Sequence, residues 1–168
     1  MSAAPAPNWN PLHSILESFT VNEKINQLLL SNVPEAAWSA EPPTGTGRTI
    51  AEIFAHMHNV RLMWLKAAAK DTDIPEKLDG RTCCPQQAGV ALAESAQACS
   101  RLIESAVATP GAKVKNFKPD AVHFVAYLIS HDSHHRGQIS QLARQTGHPL
   151  PKKVNFAMWE WGTLAKSI

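Results

Sequence analysis

The chain has 168 residues, 44% of them hydrophobic and 18% charged, with a formal net charge of +2. That is enough for one compact domain, residues 1–168, with a real core, in the composition range of soluble globular proteins. No Lys/Arg cluster tracks a phosphate backbone, which sets nucleic acid aside as a partner, and no apolar run approaches the ~20 residues of a membrane span.

The first segment, 1–10, is rich in Ala and Pro and reads as a loose arm. It lacks the basic and apolar regions of a secretory signal. Pro11 fits the first turn of a helix with Asn10 as its N-cap. Leu12, Ile15, Leu16 and Phe19 share one face of that helix, and Val21, Ile25, Leu28 and Leu29 form a second stripe on another. Two stripes on one helix motivate the expectation of a homodimer. Residues 31–48, with Pro34, Pro42, Pro43, Gly45 and Gly47, form a connector with a short helical turn at Pro34–Trp38.

A second long helix is expected over 49–69, opened by a capping box of Thr49 and Glu52. Its apolar stripe is Ile53, Met57, Val60, Met63, Trp64 and Ala67. His56 falls at the edge of the stripe, facing inward, and His58 falls almost opposite, on the expected surface. A loop follows over 70–84. The third helix runs from Pro85 to about Ala108 on a stripe of Ala88, Leu92, Ala96, Cys99, Ile103 and Ala106, ended by Thr109-Pro110-Gly111. Cys99 reads as a core thiol. With Cys83 and Cys84 it matches no zinc-knuckle spacing, and all three read as free thiols of a reducing cytoplasm.

The fourth helix starts near Pro119 and Asp120 and ends before Gly147, with Ala121, Phe124, Val125, Leu128, Ile139, Leu142 and Ala143 inward. It carries His131-Asp132-Ser133-His134-His135-Arg136-Gly137-Gln138. At about 100° per residue, His131 and His135 lie about 40° apart, one turn above the other. One helix gives two imidazoles to one ion at this spacing. His134 points away from the stripe. Asp132 projects from near the centre of the apolar face and needs a partner. Arg136, four residues on, is one candidate; a ligating histidine N–H is another. Gly137 implies close packing against a neighbouring helix. The tail, 155–161, is an aromatic segment placed as a short helix lidding one end of the bundle.

Four long helices without a strand pattern predict an all-α four-helix bundle, whose sites are built from inward side chains on facing helices. His56 then meets His131 and His135. Three neutral imidazoles leave an ion with open positions, the arrangement of a reactive site.

Thr49-Ile50-Ala51-Glu52-Ile53-Phe54-Ala55-His56, His131-x-x-x-His135-Arg136-Gly137-Gln138 and the Trp-containing tail together resemble the DinB/YfiT-like superfamily from about residue 12 to 165. The resemblance implies a four-helix bundle with a short C-terminal helical segment and a divalent ion, zinc or nickel foremost, on His56, His131 and His135. It implies dimers in many members. It also implies an enzyme acting with a low-molecular-weight thiol, a thiol S-transferase or hydrolase-like protein with metal-bound thiolate or hydroxide as nucleophile. No residue declares itself as a further nucleophile or base; Asp132, His134 and Gln138 are candidates for supporting roles. Two other readings stand beside it: a non-enzymatic metal-binding stress-response protein, and a helical bundle whose histidines hold no metal. A pocket at the site lined by Met63, Trp64 and the tail aromatics favours the enzyme; a sealed site favours the second reading.

Overall fold

The structure, a computed structural model, describes residues 10–68 and 73–166; all but the last residue of the expected N-terminal arm lies outside the described residues. Among the described residues seven helices follow in order: α1 Pro11–Leu30, α2 Glu35–Trp38, α3 Ile50–Ala68, α4 Pro85–Val107, α5 Ala121–Gln145, α6 Lys152–Ala157 and α7 Trp161–Ala165. Among the described residues the only β pairing is an isolated antiparallel bridge between Lys113 and Asp120. The fold is all-α, and no helix there is long and apolar enough to cross a membrane.

Local chemistry sets the helix boundaries. The Asn10 side chain accepts from the Leu12 and His13 amides at 3.0 and 3.3 Å. Thr49 and Glu52 close a reciprocal capping box at 3.2 and 2.9 Å. Asp120 accepts from the His123 amide at 3.1 Å. At the far end of α5, Gly147 takes φ +83°. The His148 and Gly147 amides bond back to the Ala143 and Arg144 carbonyls at 2.8 and 3.2 Å, which closes the helix with a left-handed residue that glycine adopts freely.

The core divides into two apolar clusters stacked along the bundle. One holds Leu29, Ile53, Phe54, Met57, Leu92, Ile139 and Leu142. The other holds Phe19, Leu62, Leu65, Cys99, Ile103, Phe124 and Leu128. Residue order shows the directions: α1 and α5 run from the second cluster to the first, and α3 and α4 from the first to the second. Each of α1 and α3 packs against both α4 and α5. Two parallel neighbours, α3 and α4, require the chain to return along the bundle between them. Residues 73–84 make that return along the outside of α3. Asn59 pairs with both backbone groups of Leu78 at 2.9 and 3.1 Å. Gly80 lies so close that a Cβ there would sit 2.6 Å from the Glu52 Cα.

This return strand corrects the expectation for His58. It is fully buried, because α4 and the return strand cover the face of α3 assigned to solvent. Its Nδ1 lies 2.8 Å from the Ala91 carbonyl and its Nε2 2.9 Å from the Glu76 carbonyl. The stripe of α3 shifts with it: Phe54, Arg61, Leu62 and Leu65 are buried, while Met63 is 52% exposed. The stripes of α4 and α5 stand as expected. Both stripes of α1 are used within the chain, against α4 and α5. The tail does not lid an end. Leu150 and Val154 enter the core, α7 packs along α1, and Lys24 donates to the Leu164 carbonyl at 2.8 Å. Gly137 meets no neighbour: a Cβ there finds nothing within 4 Å.

Candidate metal centre

The antiparallel contact of α3 with α5 brings His56 onto the level of His131 and His135. The three ring centroids lie 4.5, 4.7 and 5.3 Å apart. One ligand atom from each falls within 4.8 Å of the others. His135 is buried, and His56 and His131 are half-buried at the rim. His134 points outward, as expected, and only brushes His135, ring centroids 5.1 Å apart.

Hydrogen bonding selects the tautomers. His135 Nδ1 lies 2.7 Å from Gln138 Oε1, so it donates there and leaves a lone pair on Nε2. His131 Nδ1 faces the Asp132 carboxylate, whose Oδ1 is 3.6 Å away and has no hydrogen-bond partner among the described residues. A carboxylate only accepts, so the hydrogen of His131 belongs on Nδ1 and its lone pair on Nε2. The two Nε2 atoms then confront each other at 3.2 Å. Two lone pairs at that distance repel unless a cation lies between them. Imidazole nitrogens bound at 2.0–2.1 Å to one tetrahedral zinc sit ~3.3 Å apart, so the donor set fits a divalent ion.

Electrostatics favour the neutral form of His56 and His135, the form in which imidazole binds a metal. Burial, then Arg48, then the other two histidines hold His56 down at about 4. Burial also lowers His135; its bond to Gln138 works the other way, and His131, His134 and Arg48 add to the lowering.

Behind the rings lies a buried polar layer between the two apolar clusters. Asp132 Oδ2 accepts from Asn22 at 2.7 Å, Asn26 at 2.9 Å and Arg61 at 2.8 Å. Arg61 also donates to Glu23 at 2.7 Å and to the Leu92 carbonyl at 2.9 Å. Burial raises the proton affinity of the Asp132 carboxyl, but the Arg61 guanidinium, the nearby His131 N–H and the bonds from Arg61 and Asn26 outweigh it and hold the group well below the usual carboxylate range. Arg136, one of the two partners expected for Asp132, turns instead to the Asn22 and Asn26 side-chain oxygens at 2.7 and 2.6 Å and to Ser133 at 2.7 Å. α1 and α3 present polar side chains at the level of Asp132, so tertiary partners displace the one four residues along. Arg61, Asn22, Asn26 and Glu23 were not singled out in the sequence. The signal was present in Asn22 and Asn26, one turn apart inside an apolar stripe.

The approach to the site differs from the expected apolar pocket. A cleft of about 700 Å³ opens at His56, lined by Arg48, Glu52, Asn59, Lys77, Asp79 and Arg81 among others. Trp64 is instead packed edge-on among Phe117, Phe124 and Tyr127, with ring centroids 5.5 to 5.7 Å apart. The tail residues Trp159 and Trp161 line a separate crevice with Ser133, Arg136 and Gly137. Cys99 is a core thiol pushed up to about 12 by burial, and Cys83, Cys84 and Cys99 are all free.

A sequence profile of the DinB family matches residues 8–163. The chain belongs to the DinB family. Nothing matches it among curated proteins or among solved structures. In this DinB chain the three-histidine cluster can hold a metal ion.

Proposed function

We propose that this DinB protein is a metal-dependent enzyme that binds one zinc or nickel ion through His56, His131 and His135 and acts on a small molecule together with a low-molecular-weight thiol. The observation that carries this reading is the convergence of three imidazoles, two of them with Nε2 atoms 3.2 Å apart, beside an open cleft that His56 lines. An ion on three neutral ligands keeps its full positive charge, lowers the pKa of a thiol or water brought to it and holds the resulting anion for transfer.

The chain's own residues prepare that site. Gln138 fixes the ring of His135 through Nδ1. Asp132, locked from behind by Arg61, offers Oδ1 to His131 Nδ1 and holds that ring in the same tautomer. The open cleft separates this reading from that of a non-enzymatic metal-binding stress-response protein, which a sealed site would serve as well. Elemental analysis of the untagged protein, beside a His131→Ala/His135→Ala variant, tests it: about one divalent ion per chain, absent from the variant, is the expected result. No ion in either, after incubation with zinc, nickel and manganese, overturns it. A screen for thiol conjugation then tests the enzyme reading against the stress-protein reading.

A further inference from the structure

The cleft at His56 carries three cations, Arg48, Lys77 and Arg81, against two acids, Glu52 and Asp79. The acids are already engaged with Arg81: Glu52 Oε1 lies 3.8 Å from its Nε, and Asp79 accepts from its amide at 3.0 Å. Arg48 and Lys77 have no carboxylate partner among the described residues. Arg48 also lines a second cleft that contains Gln138, the partner of His135, so it borders His56 in one cleft and the support of His135 in the other.

A fixed positive charge next to a dication site opposes the ion, since like charges repel with an energy inverse to their separation. The arrangement makes chemical sense when a negative ligand lies between the two. Lys77 is set for that part by the return strand, which Asn59 grips at Leu78 and Gly80 seats against α3. Backbone anchored on both sides of Lys77, at the Glu76 carbonyl by His58 Nε2 and at Leu78 by Asn59, reduces the ordering a bound anion demands.

We propose that Arg48 and Lys77 form an anion subsite that takes the carboxylate of a ligand whose thiol end reaches the three histidines. The inference rests on the thiol reading above and names the charge that the thiol or its conjugate carries.

The test uses the cobalt-loaded full chain, with mercaptopropionate and mercaptopropanol as probes and the sulfur-to-cobalt absorption band as readout. Zinc affinity is measured in parallel by chelator competition. The wild type should bind the carboxylate probe about tenfold more tightly than the alcohol, the worth of one charge-assisted contact. Arg48→Gln should lose most of that preference and bind zinc more tightly, by a few-fold, because the repulsion is gone. Opposite signs in one variant are what a merely structural arginine does not produce. Lys77→Gln should lower the preference as well. An equal preference in the wild type and both variants means that the carboxylate chelates the ion directly, and overturns the subsite while leaving the thiol reading intact. A cobalt-loaded protein that gives no band with either probe overturns the thiol reading, and the subsite with it.

Discussion

Two polar clusters share one turn of α5, and they are built on opposite principles. Asp132 faces the bundle interior at 1% exposure, and its Oδ2 accepts three hydrogen bonds from α1 and α3. His131 and His135, one residue before and three after, face the rim with lone pairs opposed at 3.2 Å. The first cluster takes its hydrogen-bond partners from within the chain; the second is completed only by something from outside. A buried carboxylate with its donors supplied reads as scaffold, whereas ligand atoms that converge at a rim without a partner read as a site. The Asp132 carboxylate joins the two, with one oxygen given to the scaffold and the other turned to His131.

The largest effect should come from breaking the scaffold. Asp132→Ala leaves Arg61, Asn22 and Asn26 without their shared acceptor inside the core. Removing one partner of a buried ion pair costs about 3–5 kcal/mol. Thermal unfolding of the metal-free protein should fall by roughly 10 °C for a chain of this size. A change within a degree or two would show that the layer is wet and loosely held. The comparison sharpens with His131→Ala, which should abolish retention of the ion and leave the metal-free midpoint nearly unchanged.

A step smaller is Gln138→Ala. Residues that orient a ligating histidine through its other nitrogen contribute about 10- to 100-fold in metal affinity. Gln138 is exposed and holds His135 Nδ1 at 2.7 Å, so its loss should weaken zinc in a chelator competition without lowering the metal-free midpoint. Unchanged affinity would mean that the ring is held by packing alone.

Acid should separate the clusters further. The folded-state pKa of His56 is lowered from 6.5 to about 4, so between those values the unfolded chain binds the proton first. The metal-free protein therefore keeps this contribution above pH 6.5 and loses it as the pH falls toward 4. Asp132 acts lower: its depressed pKa keeps stability that disappears only as the pH drops below the ordinary carboxylate range. In urea midpoints measured against pH, His56→Gln should flatten the upper part of the profile and leave the lower part in place. An unaltered upper slope would show that His56 does not report the site's electrostatics.

These effects also mark what the sequence could tell. Helix order, the caps at Asn10 and Thr49, the stripes of α4 and α5 and the convergence of the three histidines followed from periodicity and spacing. The errors share a cause: a helix enclosed on several sides has no single apolar stripe. α3 is covered by α4, α5 and the return strand, so His58 and Arg61 are buried on a face that hydrophobicity assigns to water. The same limit hid Arg61 as the partner of Asp132, because spacing along one helix names Arg136 and only the tertiary fold brings α3 across.

Gly137 supplies the smallest effect and the clearest contrast with its neighbours on α5. Its sequence context argued for a close helix contact, yet a Cβ there meets nothing within 4 Å and the residue is exposed in a regular helix. With neither steric need nor positive φ, the glycine only adds conformational freedom to the unfolded chain. Gly137→Ala should therefore stabilise the protein by up to about 1 kcal/mol and leave zinc affinity unchanged. Gly80→Ala is the counterpart. Its Cβ would lie 2.6 Å from the Glu52 Cα, so the return strand must shift, and the cleft wall that carries Lys77 shifts with it. If Gly137→Ala lowers the unfolding midpoint instead, the face of α5 beside the tail crevice is covered in solution, and the exposed Trp159 belongs to that cover.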